Sequence, residues 1–315
     1  VIPSGKLPKY SYIPELNEKI AEMVAGLNSG QVFLVNQAQG FNWQDYTVHD
    51  KVHPNKAGAE KMATVWFEAL KKVLGSSETV FSPEIVRYKT LEDGDSLALH
   101  IFKPRNMQAG EKRPAIVYFF GGGWKLGTPI QFYRECAYYA SKGMVAVSVD
   151  YRIGYLHHST PFESFEDAKD AICWLRSHAL DYQLDPDKIA VAGGSAGGHL
   201  AAALGTIGSD ETVPAGYRPN LSVLYYPVVD MVSRGYGFPE IKRDFEKISP
   251  IHHVSEATPS TLILLGTKDP IVSVETIEAY QDKLLQKGVD CELHLFEGAG
   301  HQTFLYRKPL TAEYY

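Results

Sequence analysis

The sequence predicts an α/β fold: an eight-stranded, mostly parallel sheet with helices on both faces, preceded by a small α/β appendage. Three observations point there. From residue 84 onward eight short β-rich runs recur along the chain. Amphipathic helical stretches separate the later runs, which is the pattern of right-handed βαβ crossovers. Middle runs such as PAIVYFF are apolar almost throughout, as strands covered on both faces must be.

In chain order the expected strands are 84–90, 96–102, 114–120, 144–150, 188–194, 221–226, 261–266 and 291–297. The first two are joined by LEDGD, whose Asp-Gly pair signals a tight turn and hence a hairpin. Between the fourth and fifth, residues 164–180 place Ala168, Ile172, Leu175 and Ala179 at three- and four-residue steps, one apolar face of a helix. Residues 1–76 read differently from 77–315, and the polar stretch GSSETVFSPE separates the two domains. In the first, 14–28 is an expected helix, QVFLVN (31–36) an expected strand, and 55–74 an expected helix. Asn55 is its N-cap, and Met62, Val65, Trp66, Ala69 and Leu70 share one face.

The totals exclude some functions. The 315 residues are 44% hydrophobic, enough for one large domain with an attachment. A net charge of -6, with no basic block, argues against a nucleic acid or an anionic membrane as partner. No apolar run reaches the roughly 18 to 20 residues of a membrane span, and no signal peptide is visible. The chain begins at Val1 rather than Met, so the compartment stays open between secreted or periplasmic and cytoplasmic. Cys136, Cys173 and Cys291 are far apart, an odd number, and lack metal-ligand spacing; each is expected to be a small buried apolar residue.

Chemistry gathers around Ser195. Gly193-Gly194-Ser195-Ala196-Gly197 follows an expected strand and opens an expected helix, the setting of a G-x-S-x-G nucleophile elbow. Glycines let the strand and helix approach closely at so sharp a turn, and the helix start offers the Ala196 amide to a developing oxyanion. A phosphate-binding loop would instead end in Gly-Lys-Ser/Thr, which is missing here. A serine needs a base and the base needs a carboxylate. Asp269 comes directly after the seventh run and His301 after the eighth, in the order Ser, Asp, His that this topology requires. Gly121-Gly122-Gly123 follows the third run, and Gly122 and Gly123 are the expected oxyanion donors from this second loop, beside Ala196.

Six segments carry a family resemblance: 121–123 with Trp124, VDYR (149–152), GGSAGGH (193–199), SPIHHV (249–254), GTKD (266–269) and GAGH (298–301). Through them the region from about 81 to 315 resembles the α/β-hydrolase superfamily, within it the acetyl esterase/lipase branch near the hormone-sensitive-lipase-like esterases. The resemblance implies an α/β-hydrolase fold and hydrolysis of carboxylic esters through an acyl-enzyme, with no cofactor and no metal. Phe120 departs from it, since many relatives carry histidine before the glycines, and few residues follow His301 where relatives have a longer closing helix. Residues 49–70 resemble the last block of an SGNH (GDSL-type) hydrolase, in which Asp50 and His53 would serve a different serine; the serine and oxyanion blocks of that family are missing before residue 49. That reading makes 1–76 the back part of an SGNH fold, truncated or left from a fusion, with an apolar face covered by the hydrolase or by a second copy of the chain.

The insertion at 227–248 is too short for a large lid, so a shallow, open pocket is expected, suited to acetyl groups on small molecules or plant polysaccharides. Trp124, Tyr151, His157, His158 and Tyr226 are candidates to line it. The alternatives are an arylformamidase or lactonase, and a prolyl-oligopeptidase-like peptidase, which would normally carry a tyrosine after the serine. A non-catalytic binding module would lack a member of the triad.

Overall fold

The computed structural model describes residues 11–27, 32–48, 54–74, 82–108, 110–208, 215–231, 241 and 244–303. The chain divides into two units, Val1–Val80 and Phe81–Tyr315.

All eight expected runs are strands of one sheet in the second unit. They are β1 (Glu84–Thr90), β2 (Ser96–Phe102), β3 (Arg113–Phe119), β4 (Val145–Val149), β5 (Leu184–Gly194), β6 (Leu221–Tyr225), β7 (Ser260–Gly266) and β8 (Cys291–Phe296). Their spatial order is β1-β2-β4-β3-β5-β6-β7-β8. β2 runs antiparallel to both β1 and β4, and every other pair is parallel. The hairpin closes where Asp-Gly signalled it, with the Leu91 amide donating to the Asp95 carbonyl at 2.8 Å.

The order of β3 and β4 positions everything that follows. After β3 the chain steps outward to β4, then crosses back to β5 on the other side of β3. Connections leaving adjacent strands in opposite directions open a crevice at their C-terminal ends, where open α/β sheets place their ligands. β3 and β4 are buried along nearly their whole length, so this crevice stands over buried core strands.

Helix Ala196–Thr206 packs on β3, β5 and β6, and all of its residues are buried. Its sequence AGGHLAAALGT has no polar face to offer, as a helix enclosed on all sides requires. Helix Pro161–Ser177 starts three residues before the expected 164 because Thr160 and Glu163 form a capping box: the Thr160 amide donates to Glu163 Oε2 at 2.7 Å. Ala168, Ile172 and Leu175 are buried as expected. The VDYR segment is tied to this helix. Arg152 donates from Nε and Nη2 to the two oxygens of fully buried Asp167, at 2.8 Å each, and Lys89 adds a bond of 2.6 Å.

The cysteine expectation holds for one of three. Cys136 is buried, and burial pushes its thiol up; Cys291 is half-buried, with its thiol pushed up to about 11 for the same reason. Cys173 is exposed, because it stands about 100° around the helix from Ile172 and leaves the buried stripe.

In the first unit, helices Ile13–Gly26 and Lys56–Leu74 are present, and Asn55 Oδ1 accepts the Gly58 amide at 2.9 Å as the expected N-cap. The strand expected at 31–36 is not formed. Residues 32–36 are without regular structure, and Val32, Phe33 and Leu34 are 43%, 53% and 47% exposed. A strand needs a neighbour to take its amides. Among the described residues of this unit only an isolated bridge, Thr47 with Pro54, offers one, so its described part is helical rather than α/β. Met62, Val65 and Ala69 are half-buried, whereas Trp66 and Leu70 are exposed. Asp50 and His53 lie outside the described residues. No helix among the described residues is long and apolar enough to cross a membrane.

Candidate active site

Ser195 stands alone between the end of β5 and the helix beginning at Ala196, with φ 56° and ψ -118°. A residue with a Cβ is strained there by about 1 to 3 kcal/mol. The strain is held by backbone bonds on both sides: Ser195 donates to the Tyr225 carbonyl at 3.0 Å, and its own carbonyl accepts His199 at 2.9 Å and Val228 at 3.4 Å. The flanking glycines answer to close approach. A Cβ at Gly193 would overlap the Gly197 carbonyl, and one at Gly197 would overlap the carbonyl of Phe119 at the end of β3.

The three residues singled out by chain order meet. His301 Nε2 lies 3.0 Å from Ser195 Oγ, and His301 Nδ1 lies 2.7 Å from Asp269 Oδ2. β7 and β8 deliver Asp269 and His301 from loops just past their C-terminal ends, on the same edge of the sheet as the elbow after β5. With its proton on Nδ1, facing the carboxylate, the neutral imidazole leaves the Nε2 lone pair for the serine hydroxyl. Asp269 Oδ1 accepts the amides of Ile271 and Val272 at 2.8 and 2.9 Å. Burial works to raise the Asp269 carboxyl; the His301 bond and those two amides outweigh it and hold it below its ordinary value. The carboxylate thus stays charged and fixed toward the ring.

The glycine loop lies beside the serine. The Gly121 amide is already engaged with Gln131 Oε1 at 2.5 Å. Gly122 (φ 141°) and Gly123 (φ 64°) follow, and the Gly122 carbonyl closes a turn by accepting Lys125 and Leu126 at 3.2 Å each. Among the described residues no other group takes the amides of Gly122, Gly123 or Ala196. Phe120 does not leave the loop slack. Its carbonyl accepts the Tyr151 hydroxyl at 2.6 Å, and its ring stacks on Tyr151 with centroids 4.1 Å apart.

The five residues considered for the pocket separate. Tyr151 is fully buried as the strut under the loop, and Trp124 is buried within the loop itself. Tyr226 is fully buried against His301. His157 is half-buried, its Nδ1 accepting the Ile153 amide at 3.0 Å, and only His158 is exposed. Sequence reasoning missed Gln131, and it missed Leu126. The latter is 53% exposed, with Cδ1 only 3.1 Å from where a Cβ on Gly122 would stand. Tyr155 and Leu156 are exposed on the adjoining turn, which is bonded to the glycine loop through Gly154 to the Trp124 carbonyl (2.8 Å) and Tyr155 to the Lys125 carbonyl (3.1 Å). Loops and single-turn helices such as 129–132 and 154–157 are too short to show periodicity, so the sequence offered no signal for these residues. No group of His, Cys, Asp and Glu that could hold a metal is found among the described residues.

His199, the last residue of GGSAGGH, is fully buried behind the elbow, with Nε2 2.7 Å from the Ile248 carbonyl. Burial lowers it to about 4, the carbonyl bond opposing only in part. The unfolded ring titrates near 6.5 and takes its proton first, so this contribution is complete above that pH and is lost as pH falls toward 4. The loss amounts to about 3 kcal/mol. Denaturant unfolding at pH 7 and pH 4.5 should show this slope in the native chain and a smaller one in His199→Gln; equal slopes would remove His199 as its source.

The BD-FAE family profile matches residues 99–237, wholly within the second unit. It lends no support to the SGNH likeness of residues 49–70. Esterase LipC of Mycobacterium tuberculosis is 29% identical over 61% of this chain and 53% of its own length. An acetylxylan esterase of Xylanibacter ruminicola is 25% identical over 67% of the chain and 44% of its length. The chain spans about half the length of the curated relatives it matches. Among solved structures, the propionate-bound esterase Est2 of Thermogutta terrifontis is 36% identical, with 74% of this chain and 89% of that one covered and a TM-score of 0.68. The same enzyme has been solved phosphorylated by paraoxon, at the same identity and score.

Proposed function

The chain belongs to the α/β-hydrolase esterases, and from that premise we propose that it is a serine carboxylesterase for short-chain, acetyl-type esters. The observation that carries this reading is the continuous hydrogen-bonded line Ser195–His301–Asp269 at the crevice of the sheet.

Ser195 Oγ attacks the ester carbonyl while His301 Nε2 takes its proton. Asp269 holds the imidazole by Nδ1 and stabilises the cation that forms. The amides of Gly122, Gly123 and Ala196 receive the negative charge on the former carbonyl oxygen, and each such donor is worth about 10²- to 10³-fold in turnover. His301 then returns the proton to the leaving alcohol. Water, activated by the same imidazole, releases the acid from the acyl-enzyme and restores the serine. Covalent phosphorylation of the Thermogutta enzyme by paraoxon supports a nucleophile of this kind, and the acetylxylan esterase among the relatives supports acetylated plant polysaccharide as the physiological ester.

A series of p-nitrophenyl esters tests the acyl preference. The value of kcat/KM should be highest from acetyl to butyryl and fall by on the order of tenfold or more by octanoyl, because extra methylenes outgrow a shallow site. Release of acetate from acetylated xylan tests the polysaccharide. A rising preference toward long chains would overturn the short-acyl reading.

A further inference from the structure

We propose that Tyr226 is a positioning residue for the base His301, and that the second glycine of the elbow, Gly194, is glycine because Tyr226 fills the space beside it. This rests on the triad reading above. A single hydrogen bond from Nδ1 to Asp269 leaves an imidazole free to swing about that bond and carry Nε2 away from the serine. Tyr226 packs against the ring from another side, with centroids 4.6 Å apart and planes at 61°. It is fully buried, so it acts on the base rather than on a ligand.

The backbone shows that this placement is imposed. Tyr226 has φ 37°, in the left-handed region that a bulky residue rarely enters. It is held there by its amide, which donates to the Leu264 carbonyl of β7 at 2.7 Å. Its neighbours grip the nucleophile: the Tyr225 carbonyl accepts the Ser195 amide, and the Val228 amide donates to the Ser195 carbonyl. One short segment therefore sets the peptide of the nucleophile and the ring of its base together. Gly194 completes the fit. A Cβ there would stand 2.6 Å from the Tyr226 hydroxyl oxygen, 2.9 Å from Cζ and 3.1 Å from Cε2. A side chain at 194 could be accommodated only by moving Tyr226, and with it the support of His301.

The test is a double-mutant cycle read in kcat and KM on p-nitrophenyl acetate, with Tyr226→Leu, Gly194→Ala and the pair, plus Tyr226→Phe. Tyr226→Leu should lower kcat by on the order of 10²-fold, the cost of misplacing a catalytic group by about 1 Å, and leave KM within about threefold. Tyr226→Phe, which keeps the ring, should recover most of that loss. Gly194→Ala should lower kcat comparably alone yet add little in the Tyr226→Leu background. If Tyr226→Leu fails to fold, Tyr226→Met carries the same comparison. A rise in KM at unchanged kcat, no recovery with phenylalanine, or effects of the two sites that multiply would overturn the proposal. Failure of the triad reading itself would show separately, as hydrolysis that survives in Ser195→Ala.

Discussion

Ser195→Ala should lose ester hydrolysis by on the order of 10⁵- to 10⁶-fold in kcat, with the fold intact. In the proposed mechanism the hydroxyl is the one group of the line that bonds to substrate carbon, and no acyl-enzyme forms without it. Alanine keeps the Cβ and carries the same backbone strain at φ 56°, and the hydrogen bonds that hold position 195 come from its peptide, not its side chain. Thermal unfolding should therefore move little while turnover collapses. The residual rate is what the oxyanion donors and binding supply without a nucleophile. Initial rates on p-nitrophenyl acetate, beside an unfolding curve, measure both halves.

Gly197→Ala should produce a large loss of stability from a single methyl group. Its Cβ would overlap the carbonyl oxygens of both Phe119 and Phe120, main-chain atoms at and just past the buried end of β3. Neither side can yield. The helix is buried at every residue, and the glycine loop is anchored by Gln131 and Tyr151. The cost is about 3 kcal/mol or more, the upper end for overpacking. The damage should reach activity as well, because the overlap pushes the elbow away from the amides of Gly122 and Gly123. Gly216→Ala is the control in the same unit: the nearest atom to its Cβ is Cys173 Sγ at 3.6 Å, an ordinary contact, and its stability should stay within about 0.5 kcal/mol. Equal unfolding midpoints for the two variants would contradict the close-approach account.

What could be read in advance follows from which features have a local cause. The strands are short β-rich runs, the middle ones apolar almost throughout, and the elbow, Asp269 and His301 each sit in the segment that follows one, so residue pattern and chain order singled them out without coordinates. The run 31–36 has a similar composition but no strand partner among the described residues, and pairing is not a property of one segment. Tyr151 and Tyr226 were singled out as aromatic residues near the site, yet whether such a ring faces ligand or core depends on loops that fold over it. Tyr151 lies under the glycine loop, bonded to the Phe120 carbonyl, and Tyr226 packs against the His301 ring. Gln131, Leu126 and Tyr155 had no pattern to betray them. Their places come from short turns closed by one or two hydrogen bonds, which sequence spacing does not encode.

Covalent labelling by a fluorophosphonate bears most directly on the idea that one hydroxyl, charged through His301, does the chemistry. The native chain should take one label, found on the peptide carrying Ser195. Ser195→Ala should take none. His301→Ala should label orders of magnitude more slowly, and His53→Ala at the native rate. Label retained in Ser195→Ala, or a rate that follows His53 instead of His301, would contradict it.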